Sequence, residues 1–134
     1  MFLLNTNIVS EIVKRAPDGK VLARLNTEPP ERLHISSVTV FELRFGAARS
    51  AKPASLWARI QRDILGRYQV LPFTEPDALA AADLMAPLVG SGQNLALQDI
   101  WLAGVACGRD LTFVTRNRRD FNRITGLKVE NWFE

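Results

Sequence analysis

Short apolar runs along the chain alternate with longer stretches whose apolar residues return every three or four positions, a pattern that predicts strands joined by helices. Phe2 to Asn5 reads as a first strand stopped by a polar pair, and a helix follows from about Asn7 to Lys14. Ala16-Pro17-Asp18-Gly19 is a turn. Val21, Leu22 and Leu25 mark a second helix, which Glu28-Pro29-Pro30 ends because proline cannot continue it. Leu33 to Ser36 is the next strand. Ser36 and Ser37 can cap a helix from Val38 to about Arg49, with Val38, Phe41, Phe45 and Ala48 on its apolar face. Pro53 opens a helix that runs through Tyr68, striped by Leu56, Ile60 and Ile64.

Val70 to Phe73 reads as a strand at a sheet edge, since Pro72 cannot donate to an inner ladder. Thr74-Glu75-Pro76-Asp77 has the spacing of a capping box and starts an Ala-rich helix to about Val89. Gly90-Ser91-Gly92-Gln93-Asn94 is a lid or linker. Leu97 to Ala106 is apolar nearly all round, which predicts a buried helix ending at Cys107-Gly108. Leu111 to Thr115 reads as a central strand, and a short one around Leu127 to Glu130 closes the chain. The elements sum to an α/β fold on a short, mostly parallel sheet.

With 134 residues, 47% of them hydrophobic and 23% charged, the composition predicts one globular domain with one continuous core. Seventeen Lys and Arg against fourteen Asp and Glu leave a net charge of +3, compatible with a polyanionic partner. Cys107 is the only cysteine, so no intramolecular disulfide can form, and its small apolar neighbours predict an inert core thiol. No run approaches the roughly 18 to 20 apolar residues that span a bilayer. Met1-Phe2-Leu3-Leu4 lacks the basic start and length of a signal peptide, so the expected compartment is the cytoplasm.

Chemistry has to come from polar groups where an apolar scaffold has no need of them. Asn5 ends a buried strand, Glu42 follows Phe41 near the start of a helix, Asp99 lies between Leu97 and Ile100, and Asp120 stands beside Phe121. In a parallel sheet the C-terminal strand ends and the helix starts beyond them share one edge, so these distant residues can converge. Convergent carboxylates raise one another's pKa unless a cation holds them ionised. Mg²⁺ or Mn²⁺ with oxygen ligands is the simplest solution, and a metal-bound water beside a phosphodiester makes a nucleic-acid hydrolase.

Each residue also has a plainer reading. Glu42 can be a helix acid, Asp99 a helix-start acid favoured by the macrodipole, and Asp120 a surface partner of Arg118 or Arg123. Arg116, Arg118, Arg119 and Arg123 straddle Asp120 and can contact a phosphate backbone or be a solvated loop. Lys14 and Arg15 oppose a helix dipole, and His34 reads as a packed strand residue. Trp57, Trp101 and Trp132 read as core or dimer-interface aromatics, with Trp101 close enough to Asp99 to line a cleft.

The N-terminal LLNTN with Ser10-Glu11, then SSVTVFEL, LQDIWLAGVA, TFVTRNRRDF and GLKVENW, resemble in order and spacing the PIN-domain toxins of the VapC type, nearly from end to end. The resemblance implies a three-layer α/β/α domain that dimerises, a Mg²⁺- or Mn²⁺-dependent endoribonuclease activity on structured RNA such as tRNA, and inhibition by a cognate antitoxin. It maps the family's first catalytic aspartate onto Asn5, its glutamate onto Glu42 and its further acids onto Asp99 and Asp120, with Asn117 at a position that is acidic in some relatives. Thr6, Ser37 and Thr115 then become hydroxyls that orient carboxylates or water. Arg116, Arg118 and Arg119 become RNA contacts.

Asn5 departs from that pattern. An amide keeps the shape of aspartate but removes its charge and puts donors where acceptors are required. The change reads as a deliberate disabling of a toxin, as natural decay, or as a site in which three acids suffice; intact positions elsewhere favour the first. The rival function is a catalytically silent module that binds antitoxin, RNA or operator DNA. Ile8, Ile12 and Val13 are expected on an antitoxin surface, being too numerous for a small core.

Overall fold

The structure, a computed structural model, describes residues 1–134. Five short strands form one sheet: β1 (Phe2–Leu4), β2 (Leu33–Ser36), β3 (Gln69–Leu71), β4 (Thr112–Val114) and β5 (Val129–Glu130). Their order is β3-β2-β1-β4-β5, and every neighbouring pair is parallel. Phe2 faces Leu33 on one side and Thr112 on the other, and Leu3 faces His34 and Phe113. The middle strand is thus β1, and the Leu111–Thr115 segment, expected at the centre, lies between β1 and β5. Pro72 follows directly after β3, which is an edge strand as its proline requires.

Alternation along the strands divides the interior into two layers. Phe2, Leu4, Leu33, Ile35 and Val114 pack with Ile8, Val21, Leu25, Ile60 and Trp132 on one face. Leu3 and Phe113 point the other way, into Ile100, Leu102, Ala103, Val105 and Phe121. Helices cover both faces, giving the three-layer α/β/α arrangement. Trp132 meets Phe2 edge to face, with ring centres 5.2 Å apart, which makes it a core residue.

The helices are α1 (Thr6–Val9), α2 (Gly19–Thr27), α3 (Ser37–Ala48), α4 (Pro53–Ile60), α5 (Glu75–Gly90), α6 (Leu97–Gly108) and α7 (Arg118–Phe121). The expected helix over Asn7 to Lys14 is in fact one α turn followed by a 3-10 turn over Ser10–Val13. Ile8 is fully buried and so is not part of the apolar surface expected, while Ile12 and Val13 pack against the same core and remain partly exposed. The helix opened by Pro53 widens into a π turn at Gln61–Leu65, where the Gly66 amide reaches back to the Gln61 carbonyl at 2.8 Å.

On α3 the buried side is Val38, Thr39, Leu43 and Ala47, whereas Phe41 and Phe45 are 60% and 53% exposed and stack on each other. The expected face was therefore rotated, because both sides of this helix are apolar. Gly90 belongs to α5, and Gly92, at φ +74°, turns the chain towards α6 where an L side chain is disfavoured. The segment is a tight helix stop. Cys107 is half-buried, with its sulfur 3.8 Å from the Gly126 carbonyl, so it is not sealed in the core. No helix is long and apolar enough to cross a membrane.

The α5 and α6 helices press together at Gly104, where a Cβ would fall 2.6 to 2.7 Å from Ala81 atoms. That contact fixes the height of α6, which carries Asp99 in its first turn and Arg109 just beyond its end. β1, β2 and β4 all end at one edge of the sheet, and α1 and α3 begin there. The strand order reverses at β1, so this edge is where a crevice is expected.

Candidate active site

Asn5 follows β1 at the middle of that edge and is 5% exposed. It caps α1: its carbonyl oxygen Oδ1 accepts from the Thr6 backbone N–H at 2.7 Å. That bond fixes the amide's orientation, so Nδ2 faces the other way and donates to the Thr115 hydroxyl at 3.0 Å. Thr115 is fully buried after β4 and gathers further donors, from the Asn117 N–H at 3.1 Å and the Asn7 side chain at 3.5 Å. A carboxylate in place of the Asn5 amide would accept from Thr115 and leave lone pairs free; the amide places a donor there.

Thr6 bridges to α3. Its hydroxyl donates towards Glu42 Oε1 at 2.9 Å and lies 3.1 Å from the hydroxyl of Thr39. Burial pushes the Glu42 carboxyl up, the Thr6 bond pulls it partly back, and the charge of Asp99 adds to the rise. Asp99 is raised as well, by burial first and by the charge of Asp120 second. No lysine or arginine offsets either acid. Asp120 is exposed at the rim of the site, 3.8 Å from Arg123. Its plainer reading as an Arg123 partner is therefore present alongside its proximity to Asp99.

The acids thus form a chain, Glu42 to Asp99 to Asp120, and Glu42 is linked to Asn5 through Thr6. No group of three or more His, Cys, Asp or Glu stands close enough to hold a metal ion. In donor type and charge, two half-buried, mutually repelling carboxylates without a cationic partner do suit a hard divalent cation. What falls short is a third close carboxylate; the side chain next to the pair, reached from Glu42 through Thr6, is the Asn5 amide.

Ser37 stands elsewhere: its hydroxyl accepts from the Phe73 N–H at 3.0 Å, tying α3 to the chain beyond β3. Thr39, which the sequence reading missed, holds the place next to Thr6 and Glu42 and is fully buried. Its signal was a small hydroxyl residue one helical turn before the acid. Asn7, expected only as a helix start, has its Oδ1 accepting from the Arg116 N–H at 3.3 Å, tying α1 to the basic loop. His34 is buried with Nδ1 3.3 Å from the Phe2 carbonyl, a packed residue and not a base. Trp101 packs against Phe73 and lines an apolar recess of about 240 Å³ with Ser37, Val38 and Phe41.

Residues 2–127 match the PIN domain family. The chain is 34% identical over 131 residues to Ribonuclease VapC2 of Haemophilus influenzae, covering 98% of this chain and 97% of the relative. It is 33% identical over 132 residues to the tRNA(fMet)-specific endonuclease VapC of Salmonella typhimurium, covering 98% and 97%. The crystal structure of DNA-bound VapBC from Salmonella typhimurium is similar with a TM-score of 0.90 at 33% identity, covering 98% of this chain and 97% of that one. A whole-length match of this kind fixes kinship as well as fold: the chain belongs to the PIN domain family, among the VapC-type toxins.

Proposed function

We propose that this chain is a metal-dependent endoribonuclease toxin acting on structured RNA such as tRNA, and that Asn5 leaves this copy disarmed or weakened. The observation that carries the reading is the pair Glu42 and Asp99: half-buried, raised by burial and by neighbouring negative charge, uncompensated by any protein cation, and set beside Asn5 at the crevice edge. The relatives named as ribonuclease and as tRNA(fMet)-specific endonuclease support the activity and the substrate class.

Glu42, Asp99 and an aspartate at position 5 would hold Mg²⁺ or Mn²⁺, with Asp120 at the rim. The bound ion would polarise the phosphoryl oxygens and acidify a water. Thr6 keeps the Glu42 carboxylate turned inward, and Thr115 supplies a hydroxyl to the side chain at position 5. Arg116, Arg118 and Arg119 extend the site with positive charge towards the RNA backbone. A cognate antitoxin and a second copy of the chain are the proposed protein partners, the former supported by the likeness to a VapBC complex.

A second reading, a silent module that binds antitoxin, RNA or operator DNA, is favoured by one observation: without an acid at position 5 no three ligands gather. The two readings separate when this sequence and Asn5→Asp are incubated with total tRNA and Mg²⁺ or Mn²⁺, with and without EDTA. The ribonuclease reading expects cleavage by the Asn5→Asp protein that EDTA abolishes. Absence of cleavage by that protein with either metal would overturn it.

A further inference from the structure

Three of the four arginines of the basic loop, Arg116, Arg118 and Arg123, are held by groups of the chain in different ways, and Arg119 has no such contact. Arg118 lies 3.7 Å from the Glu134 carboxylate, and Arg123 lies 3.8 Å from that of Asp120 while bonding the Asp120 carbonyl at 3.2 Å. Both point their donors at groups of this chain. Arg116 instead lays its guanidinium over the Phe133 ring, 4.5 Å from the ring centre. Stacking occupies the flat face of a guanidinium and leaves its N–H edges free. No acid of the chain pairs with Arg116.

The backbone beneath this side chain is pinned from two sides. The Arg116 N–H donates to Asn7, and its carbonyl accepts from Asn131 Nδ2, each at 3.3 Å. Asn131 Oδ1 in turn accepts from the Phe133 N–H at 2.8 Å, closing a loop of contacts between the basic segment and residues 131–133. Phe133 rests on the core cluster that contains Trp132. Arg116 immediately follows Thr115, the hydroxyl that Asn5 contacts.

We propose that Phe133, together with Asn131, is a positioning residue that holds Arg116 ready to grip an RNA phosphate beside the acids. A guanidinium already oriented loses less freedom on binding than a free one, so the benefit is in affinity. Arg118 has no aromatic platform, only an exposed pairing with Glu134 that orients it weakly, and so contributes less. The identity of the polyanion as RNA rests on the ribonuclease reading; the device itself does not.

The test is binding of fluorescently labelled bulk tRNA to the full chain in EDTA, over a salt series, with a thermal melt of every variant. Arg116→Ala is expected to weaken binding roughly tenfold and to lower the salt slope by about one. Phe133→Leu, which keeps Arg116 but removes its platform, is expected to weaken binding roughly two- to five-fold, and Phe133→Tyr to restore it. Arg118→Ala should cost less than Arg116→Ala. Tight binding by Phe133→Leu would overturn the proposal, as would failure of a normally folded Phe133→Tyr to restore affinity. Binding in EDTA involves no cleavage, so an inactive Asn5→Asp protein would refute the nuclease reading and leave this result standing.

Discussion

Acids at the two ends of α6, Asp77 at one and the pair Glu42 and Asp99 at the other, respond to burial in opposite ways. Beyond its C-terminal end, burial pushes Asp77 up, but bonds from Arg109 and from the Thr74 hydroxyl and N–H outweigh it and hold the carboxyl below its usual range. At the N-terminal end Glu42 and Asp99 are raised by desolvation; the Thr6 hydroxyl offsets it in part for Glu42, and nothing offsets it for Asp99. Asp77 is a completed structural site: it caps α5 and clamps Arg109 at 2.9 Å. Glu42 and Asp99 have no cation of the chain beside them. Burial alone therefore does not set Glu42 and Asp99 apart from Asp77; burial without compensation does, and it is what makes them the candidates.

The comparison is broken most severely at its completed end. Asp77→Asn strips the charge from a buried pair and leaves Arg109 without its partner; the partial exposure of Arg109 limits the cost, expected at about 2 to 3 kcal/mol in denaturant melts. The pH dependence fixes the sign. A carboxyl with a depressed folded pKa stabilises above its unfolded value, near 3.8, and loses that contribution as pH falls through the folded pKa. The gap between Asp77→Asn and the present sequence should accordingly be full at neutral pH and close in strong acid.

The two ends depend on α6 lying flat on α5. Gly104→Ala puts a methyl into Ala81, including its backbone, and is expected to cost about 1 to 3 kcal/mol while disturbing both groups of acids together. A stability equal to that of the present sequence would show that the helices separate freely.

The smallest expected effect has the opposite sign. Glu42→Gln or Asp99→Asn removes an uncompensated charge, and in metal-free buffer at neutral pH either should leave stability unchanged or raise it by up to about 1 kcal/mol, solvent screening limiting the gain. An acid with a raised folded pKa stabilises the fold when protonated and loses that contribution as pH rises through the folded pKa. Any advantage of these variants should then vanish on acidification, the reverse of the Asp77 behaviour. Chemical melts at three pH values distinguish the two patterns.

Much of this was readable from the sequence, and the failures have physical causes. The order of strands and helices, the edge position signalled by Pro72 and the cap at Thr74–Asp77 follow from local rules that tertiary packing did not override. The face of α3 did not, because Phe41 and Phe45 offer as apolar a stripe as Leu43 and Ala47, and only the sheet beneath decides between them. Ile8 looked surplus because one-dimensional counting cannot show that the turn after β1 plugs the core. At the site, the sequence supplied Asn5, Glu42, Asp99 and Asp120 as candidates but not their spacing. Ser37 and Thr39 lie two positions apart on one helix, and only the structure could tell which meets Thr6.

The central claim is that Glu42 and Asp99 await a cation whose third charged ligand has been replaced by Asn5. Mn²⁺ titration by calorimetry tests it most directly, using the present sequence, Asn5→Asp, and Asn5→Asp combined in turn with Glu42→Gln, Asp99→Asn or Asp77→Asn. The account predicts markedly tighter Mn²⁺ binding on Asn5→Asp, lost again with Glu42→Gln or Asp99→Asn and kept with Asp77→Asn. Equal Mn²⁺ affinity with and without the position-5 carboxylate, or binding that survives loss of Glu42 and Asp99, would contradict it.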